Sequence, residues 1–268
     1  MLRPALTLAA AVLVTTSLRA HPELAGALSR LNPAIAAAPA DAALYLERGE
    51  LYAKYGDAVS AEANFLRASE LAPRLPRLDR ALGALALSTR QPAEALAHLD
   101  RALALDARDA EALILRSRAL TALGRGSAAL ADFDAAVALV PNPRPELFLE
   151  YAALLPSPAA AIVALDAAIA RIGPAYTLHL RALELEETSG RIDAALTRLA
   201  TLAALSERKE TWLKRRGDLL ARAGRTAEAR VAYTTALAAV DALPDWLRAS
   251  PDTARLAVEL RTLCAPNS

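Results

Sequence analysis

The chain repeats itself about every 34 residues, and this repetition constrains the fold more than any other feature. One row of positions holds small residues: Ala61, Ala95, Ala129, Ala161, Ala195 and Ala229. A second row, four residues later, holds bulky ones: Phe65, Leu99, Phe133, Leu165, Leu199 and Tyr233. A third row lies seven residues after the first: Ala68, Ala102, Ala136, Ala168, Leu202 and Ala236. All three rows share the spacings 34, 34, 32, 34 and 34, which alanine richness alone does not produce.

Residues four and seven positions apart lie on one face of a helix, so each set marks a helix that a neighbour approaches closely. The preceding stretch of four repeats holds a small residue at one further equivalent position: Gly49, Gly83, Ser117 and Gly217. Glycine inside a helix costs about 1 kcal/mol relative to alanine, so close helix crossing is the reason for it. Turn glycines lie between the two stretches: Gly56, Gly124, Gly190 and Gly224. Each repeat is therefore predicted to be a pair of helices joined by a short turn.

The repeated unit resembles the tetratricopeptide repeat (TPR). The first unit matches at Tyr45, Gly49, Tyr52, Gly56, Ala61, Phe65, Ala68 and Pro73. The third matches at Leu113, Leu120, Gly124, Ala129, Phe133, Ala136 and Pro141, and the sixth at Gly217, Leu220, Gly224, Ala229, Tyr233 and Ala236. The second and fifth are weaker. The fourth departs most, with Tyr151 in place of a small residue and a shortened turn at Pro156–Pro158, which is either a hinge or, as we favour, a tight loop.

The resemblance implies an all-α fold, a right-handed α-solenoid of about six TPR helix-turn-helix units with a C-terminal capping helix. The array is expected over residues 40–243, with units starting near 42, 76, 110, 144, 176 and 210. Residues 21–39 are predicted to form an N-terminal capping helix segment, either continuous or broken near Pro33. Residues 244–268 are predicted to form the C-terminal capping helix and tail, with the helix starting at Ser250. Its apolar stripe is expected to comprise Leu256, Leu260, Leu263 and Cys264.

Residues 1–20 are interpreted as a secretory signal peptide. Arg3 precedes an apolar stretch over residues 5–14, which is too short to span a membrane, and Ala20 provides a small residue before a cleavage site. Cleavage after Ala20 predicts an exported protein, periplasmic or secreted, without a stable membrane span in the mature chain. The alternatives are an N-terminal helix of the mature fold and an uncleaved anchor.

The composition argues against several classes of chemistry. Lys+Arg 31 and Asp+Glu 30 are mixed along the chain, which disfavours nucleic acid as a partner. A single cysteine excludes an intrachain disulfide. His21, His98 and His179 fall at unrelated positions, so neither a metal site nor any other cofactor is expected. No nucleophile elbow occurs, and the chain is not expected to be an enzyme.

In the TPR family the first helix of each pair lines a concave groove, so the resemblance implies a candidate ligand-binding set. It comprises Leu46, Glu50, Lys54, Arg77, Arg80, Ile114, Arg118, Phe148, Glu184 and Lys214. The alternative is that these charges only keep a helical surface soluble. The carboxylate clamp of the family's chaperone-binding members is not expected, because none of its positions matches: Leu46, Glu50, Ala81, Glu111 and Leu115.

The function expected from this resemblance is that of an exported scaffold or adaptor that binds a protein or peptide partner and performs no catalysis. The alternative is an accessory or regulatory subunit of a cell-envelope enzyme or transporter complex.

Overall fold

The computed structural model describes residues 22–75 and 77–265, which form fifteen α-helices and no strands. In chain order they are α1 (Pro22–Ala37), α2 (Ala42–Lys54), α3 (Ala58–Leu71), α4 (Leu78–Ser88), α5 (Pro92–Leu105), α6 (Ala110–Ala122), α7 (Gly126–Leu139), α8 (Pro145–Leu154), α9 (Pro158–Ile172), α10 (Tyr176–Thr188), α11 (Ile192–Leu205), α12 (Glu210–Arg222), α13 (Thr226–Asp241), α14 (Asp245–Arg248) and α15 (Pro251–Cys264). The predicted signal peptide and His21 lie outside the described residues. The all-helical prediction is confirmed.

The helices form two compact units that divide between Pro141 and Asn142. The N-terminal unit contains α1 and the pairs α2/α3, α4/α5 and α6/α7. The C-terminal unit contains the pairs α8/α9, α10/α11 and α12/α13, followed by α14 and α15. The division falls between the third and fourth pairs, whereas residues 155–157 form a short connection within the C-terminal unit.

The rows of small and bulky residues form the core, as their periodicity predicts. In α3, Ala61, Phe65 and Ala68 are all 0% exposed, and the matching rows of the other pairs are buried as well. The first helices contribute the facing apolar residues, such as Leu113 and Leu120 on α6. Apolar burial of this kind stabilises each pair and also fastens it to the next pair.

The small residue on the first helix leaves room for the bulky side chain of the second helix to pack directly against the backbone of the first helix. A Cβ atom added to Gly49 would lie 2.4 Å from Cε1 of Phe65, and one added to Gly217 would lie 2.3 Å from Cε1 of Tyr233. In α6 the equivalent Ser117 is fully buried, and its hydroxyl donates a hydrogen bond to the Ala129 carbonyl oxygen at 2.7 Å. Close crossing therefore explains the glycines at this position.

Four of the turns within pairs contain glycine in the left-handed conformation, and a fifth contains arginine. Gly124 has φ +73°, and the next residue's N–H donates to the Leu120 carbonyl oxygen at 2.8 Å, which closes the C-terminus of α6. Arg90 lies 34 residues earlier, has φ +61°, and is followed by the same hydrogen bond, from Gln91 to Ala86. Arginine therefore adopts a backbone conformation here that costs a residue with a Cβ about 1 kcal/mol.

The two ends differ in part from expectation. Helix α1 continues through Pro33 without a break. At the start of α15, the Ser250 side chain accepts a hydrogen bond from the Thr253 N–H, as predicted for a capping residue. Thr253 is itself buried and so joins the inner face of α15, whereas Leu263, which the sequence predicts on the apolar stripe, is 37% exposed and does not belong to that face. Cys264 is half-buried.

Candidate functional site on the first helices

The first-helix surface is the set of side chains displayed by α2, α4 and α6 in the N-terminal unit and by α8, α10 and α12 in the C-terminal unit. Two predicted members of the ligand-binding set are not on this surface. Leu46 is 6% exposed and packs in the same apolar cluster as Phe65, and Phe148 is 5% exposed. Because both side chains are buried, they stabilise the fold and are not available to contact a ligand.

Glu50 and Arg77 are brought together, although they come from successive pairs. Nη2 of Arg77 lies 2.8 Å and 2.9 Å from the two carboxylate oxygens of Glu50. Arg77 immediately precedes α4 and has φ +70°, a left-handed conformation that is uncommon for a residue with a Cβ. The ion pair connects the side of α2 to the start of α4, and both side chains are partly exposed, so its contribution to stability is small.

Arg80 makes the corresponding connection between α4 and α6. Its guanidinium lies 2.7 Å from Oδ2 of Asp109 and 3.3 Å from Oε2 of Glu111. The other carboxylate oxygen of Asp109 accepts a hydrogen bond from the Ala112 N–H at 3.0 Å, which caps the N-terminus of α6. A predicted groove cation is thus part of the connection between two repeats.

The remaining predicted residues of the N-terminal unit are Lys54, Ile114 and Arg118. Lys54 is exposed, and its ammonium nitrogen lies 5.4 Å from the centre of the Tyr55 ring. Ile114 is half-buried, and Arg118 is exposed one turn further along α6. Glu111, Ile114 and Arg118 share one face of α6 because they are three and four residues apart, which places an apolar side chain between two charged ones.

In the C-terminal unit, Lys214 is part of a network that joins three helices. Its ammonium lies 3.0 Å from Asp218 on α12 and 2.8 Å from Glu259 on α15. The Tyr233 hydroxyl on α13 donates to Asp218 at 3.0 Å. Burial and this hydrogen bond raise the pKa of Tyr233 to about 12. Glu184, the other predicted residue here, pairs with Arg181 on its own helix at 3.1 Å.

Away from the predicted set, an arginine joins three helices of the N-terminal unit. Two nitrogens of Arg116 on α6 each lie 2.7 Å from an oxygen of Asp132 on α7, and a third lies 2.9 Å from Asp100 on α5. These hydrogen bonds, led by those to Asp132, raise the pKa of Arg116 further above its ordinary value. Asp132 is 8% exposed, so its charge is compensated by the bidentate pair.

The C-terminal unit has a similar bridge, in which the arginine lies on the second helix of the pair and its buried carboxylate partner lies on the first helix. Arg198 on α11 lies 2.7 Å from Glu186 on α10 and 2.9 Å from Asp166 on α9. His179 is 8% exposed, and its Nδ1 atom lies 3.5 Å from the Arg198 guanidinium. Burial, and then the positive charge of Arg198, lower the pKa of His179. His179 is therefore neutral at physiological pH, consistent with a packing role.

Three further features of the described residues are relevant to function. Among them, no three His, Cys, Asp or Glu side chains converge in an arrangement able to hold a metal ion. His98, on α5, lies 3.0 Å from the carboxylate of Asp79 on α4. None of the helices in residues 22–75 and 77–265 combines the length and the apolar character that crossing a membrane requires.

Sequence and structure comparisons agree on the architecture. Residues 159–248 match the family model described as tetratricopeptide repeat-like domain. The C-terminal part of a TPR repeat-containing protein from Cytophaga hutchinsonii is similar in structure, with a TM-score of 0.63 and 14% identity over 89% of this chain and 96% of that one. The fold is that of tetratricopeptide repeat proteins.

Other TPR-like structures extend the comparison. PilF of Pseudomonas aeruginosa has a TM-score of 0.54 and 18% identity over 82% of this chain and 96% of its own. A structure of Naa15/Naa10 bound to HypK has a TM-score of 0.54 and 15% identity, over 92% of this chain and 40% of that one. No curated protein matches the chain in sequence. Identities this low identify the fold and leave the partner to be derived from the surface itself.

The structure also identifies candidate surface residues that the sequence did not single out. Asp109 and Glu259 pair with predicted groove cations, and Glu47, Leu51 and Arg30 line a cleft between α1 and α2. Asp109 carried a local signal, since an aspartate directly before a helix predicts an N-cap. Its second contact, with Arg80, depends on how two repeats stack.

Proposed function

We propose that the protein is an exported scaffold or adaptor that binds a protein or peptide partner on its first-helix surface and performs no catalysis. The observation that most supports this function is on the surface of α6, where half-buried Ile114 lies between Glu111 and Arg118. An apolar side chain flanked by charges suits a peptide segment with one apolar anchor and polar neighbours, because partly desolvated apolar contacts supply affinity and charges supply orientation.

Two further observations support a scaffold. TPR-fold proteins are typically non-catalytic, and one structural neighbour, Naa15/Naa10, is bound to HypK, so a protein ligand is compatible with the fold. Glu50, Arg77 and Arg80 hold successive first helices together through ion pairs, which keeps the surface around Ile114 preorganised.

The binding surface is tested by comparing two single substitutions. The full chain, produced with a crosslinkable C-terminal tag in the native cell, is expected to capture a specific protein, and Ile114→Asp is expected to abolish that capture. Val163→Asp is the control, because Val163 is 68% exposed on the second helix α9. Equal capture by the Ile114→Asp and Val163→Asp variants would overturn the assignment of the surface.

Export is tested separately. The proposal rests on the sequence pattern of residues 1–20, which predicts that the mature protein begins at His21. Mass spectrometry of the protein recovered from the periplasm or the medium should give that N-terminus. Recovery of the intact chain from the cytosol alone would contradict export and would leave the binding proposal standing.

A further inference from the structure

A polar cleft of about 280 Å³ lies in the N-terminal unit between the second helices α3 and α5. One wall carries the carboxylate of Glu62 on α3, and the other carries Glu94 and His98 on α5. The rest of the lining comes from α4 and from the turn that follows it, and includes the apolar side chain of Leu82. None of these residues belongs to the predicted ligand-binding set, and the repeat register indicates what the cleft is suited to receive.

The pairs before and after this cleft each contain an arginine bridge. Arg48 on α2 donates to Asn64 on α3 at 2.7 Å and to Asn32 on α1 at 3.0 Å. Arg116 on α6 makes the same connection to aspartates on α7 and α5, at 2.7 Å and 2.9 Å. In both pairs, a guanidinium from the first helix therefore joins the second helix of its own pair to the second helix of the preceding pair.

The second pair lacks this arginine. The residue 34 positions after Arg48 and 34 positions before Arg116 is Leu82, a half-buried side chain on α4. The two acceptor positions of the bridge are changed as well, to His98 on α5 and to Leu66 on α3, which is 56% exposed. The chain therefore supplies no guanidinium between α3 and α5 at the position where its neighbours have one.

The carboxylates of the cleft lie on the same two helices as these acceptor positions. Glu62 on α3 and Glu94 on α5 each lie four residues, about one helical turn, before the acceptor position of their helix. A guanidinium between Glu62 and Glu94 would thus join α3 to α5 as Arg116 joins α5 to α7. The methylene groups of the same side chain would lie along Leu82, which lines the cleft.

The two glutamates of the cleft are not neutralised by an arginine of the chain. Among the described residues Glu62 forms no ion pair, and Glu94 approaches only Nε2 of His98, at 4.0 Å, which is too far for a hydrogen bond. Neither Arg90 nor Arg101, the arginines nearest to Glu94 in the chain, pairs with these glutamates, and Arg101 bonds instead to a carboxylate on α4. Uncompensated carboxylates on two facing helices favour a cationic ligand.

We propose that this cleft binds an arginine side chain of a protein partner, whose guanidinium group bridges Glu62 and Glu94. Arginine suits the cleft better than lysine, because a planar guanidinium donates in several directions and can satisfy carboxylates on two walls. The exposed Leu66, one turn further along α3, offers an apolar contact to a residue beside that arginine in the partner. This site is separate from the first-helix surface around Ile114, so it does not depend on the proposed function.

The capped tripeptide Ala-Arg-Ala is a suitable probe, because its only charge is the guanidinium group. Its binding is measured by amide NMR of the isotope-labelled protein with peptide added to about 20 mM, since one side chain is expected to bind with a dissociation constant of about 1–10 mM. The shifted signals are expected to cluster at Thr89, Gln91 and the first two turns of α5. The same peptide with citrulline, which has nearly the shape of arginine but no charge, should bind at least about tenfold more weakly.

Matched variants of the protein locate the site. Glu62→Gln and Glu94→Gln alter exposed side chains and keep the fold, so each should weaken binding at least about threefold, and the double variant should abolish it. Glu47→Gln removes an exposed carboxylate of α2 and should leave binding unchanged. Leu82→Arg restores an arginine at its repeat position and should block the peptide, because the chain's own guanidinium then fills the cleft. Ile114→Asp should have no effect, which separates this site from the surface of the proposed function.

Four results would overturn the assignment of the cleft. The first is the absence of shifts around it at about 20 mM peptide. The second is equal binding of the arginine and citrulline peptides, and the third is unchanged binding by the protein in which both glutamates are replaced. The fourth is binding of a lysine version as tight as that of the arginine peptide, because the bridging geometry requires the guanidinium group.

Discussion

The N-terminal unit and the first two pairs of the C-terminal unit follow the same repeat register but differ in how their helices cross, whereas the sixth pair, with Gly217, crosses as closely as the N-terminal pairs do. In the N-terminal unit, Gly49, Gly83 and Ser117 let the paired helices approach closely. At the same position in the C-terminal unit the fourth and fifth pairs have Tyr151 and Leu183, and these pairs have fewer close backbone approaches. The comparison teaches that the repeat specifies where helices cross, while the side chain at the crossing sets how closely they do so.

Substitutions at the crossing should therefore act through opposite mechanisms in the N-terminal unit and in the fifth pair. Leu183 is 0% exposed and fills the wider crossing, so Leu183→Ala should leave a cavity and lower the free energy of unfolding by about 2–5 kcal/mol. Urea denaturation of the chain from His21 measures this loss. Val163→Ala, at an exposed position in the same unit, should change stability by less than about 0.5 kcal/mol. A loss below about 1 kcal/mol for Leu183→Ala would show that the crossing is not filled by this side chain.

A second comparison is between the partly buried ion pair of Arg116 and an exposed ion pair. Asp132→Ala leaves Arg116 without its bidentate partner, and the free energy of unfolding should fall by about 2–3 kcal/mol, less than for a fully buried pair because the Arg116 side chain is 26% exposed. Asp252→Ala removes an exposed ion pair with Arg255 and should cost less than about 1 kcal/mol. Similar losses for both variants would contradict a structural role for the bridge.

At the close crossing of the N-terminal unit, even one methyl group should be destabilising. Gly49→Ala improves helix propensity but forces its Cβ against Phe65, so a net loss of about 1–3 kcal/mol is expected. Gly26 is the matched control, because it lies inside α1 with nothing within 4 Å of an added Cβ. Gly26→Ala should stabilise the chain by about 0.5–1 kcal/mol, and the same sign for both substitutions would refute the crowding argument.

The smallest effect is expected at the turns. Arg90 adopts the conformation that glycine adopts in four other turns, so Arg90→Gly should raise the free energy of unfolding by up to about 1 kcal/mol. The reverse change in the third pair, Gly124→Arg, should lower it by a comparable amount. Thermal or urea unfolding of the two variants side by side tests this, and destabilisation by Arg90→Gly would mean that the arginine side chain contributes more than the strain costs.

The fold could be predicted from the sequence because burial depends on periodicity, and the rows through Ala61, Phe65 and Ala68 repeat without ambiguity. The left-handed turn at Arg90 could not be predicted, because arginine has no preference for a left-handed backbone conformation. The burial of Leu263 was mispredicted because the rotation of α15 is set by its packing on α13.

The candidate site was only partly predictable. Positions on first helices could be assigned from the resemblance, but burial of Leu46 and Phe148 depends on the packing of each particular pair. The partners of Arg77 and Arg80 are 27 and 29 residues away in the chain, and only the stacking of successive pairs brings them within hydrogen-bonding distance. Charge patterns alone do not distinguish such pairs from charges available to a ligand.

The central claim is that the closely crossing pairs, those with Gly49, Gly83, Ser117 or Gly217, are specified by a small residue closing over a bulky one. A double-mutant cycle of Gly49→Ala and Phe65→Leu tests it most directly, because the smaller Leu side chain should relieve the clash of the added Cβ. Urea denaturation should show the double variant to be more stable than the sum of the two single losses predicts, with a coupling of about 1 kcal/mol. Additivity within about 0.3 kcal/mol would show that the two residues do not constrain each other and would contradict the account.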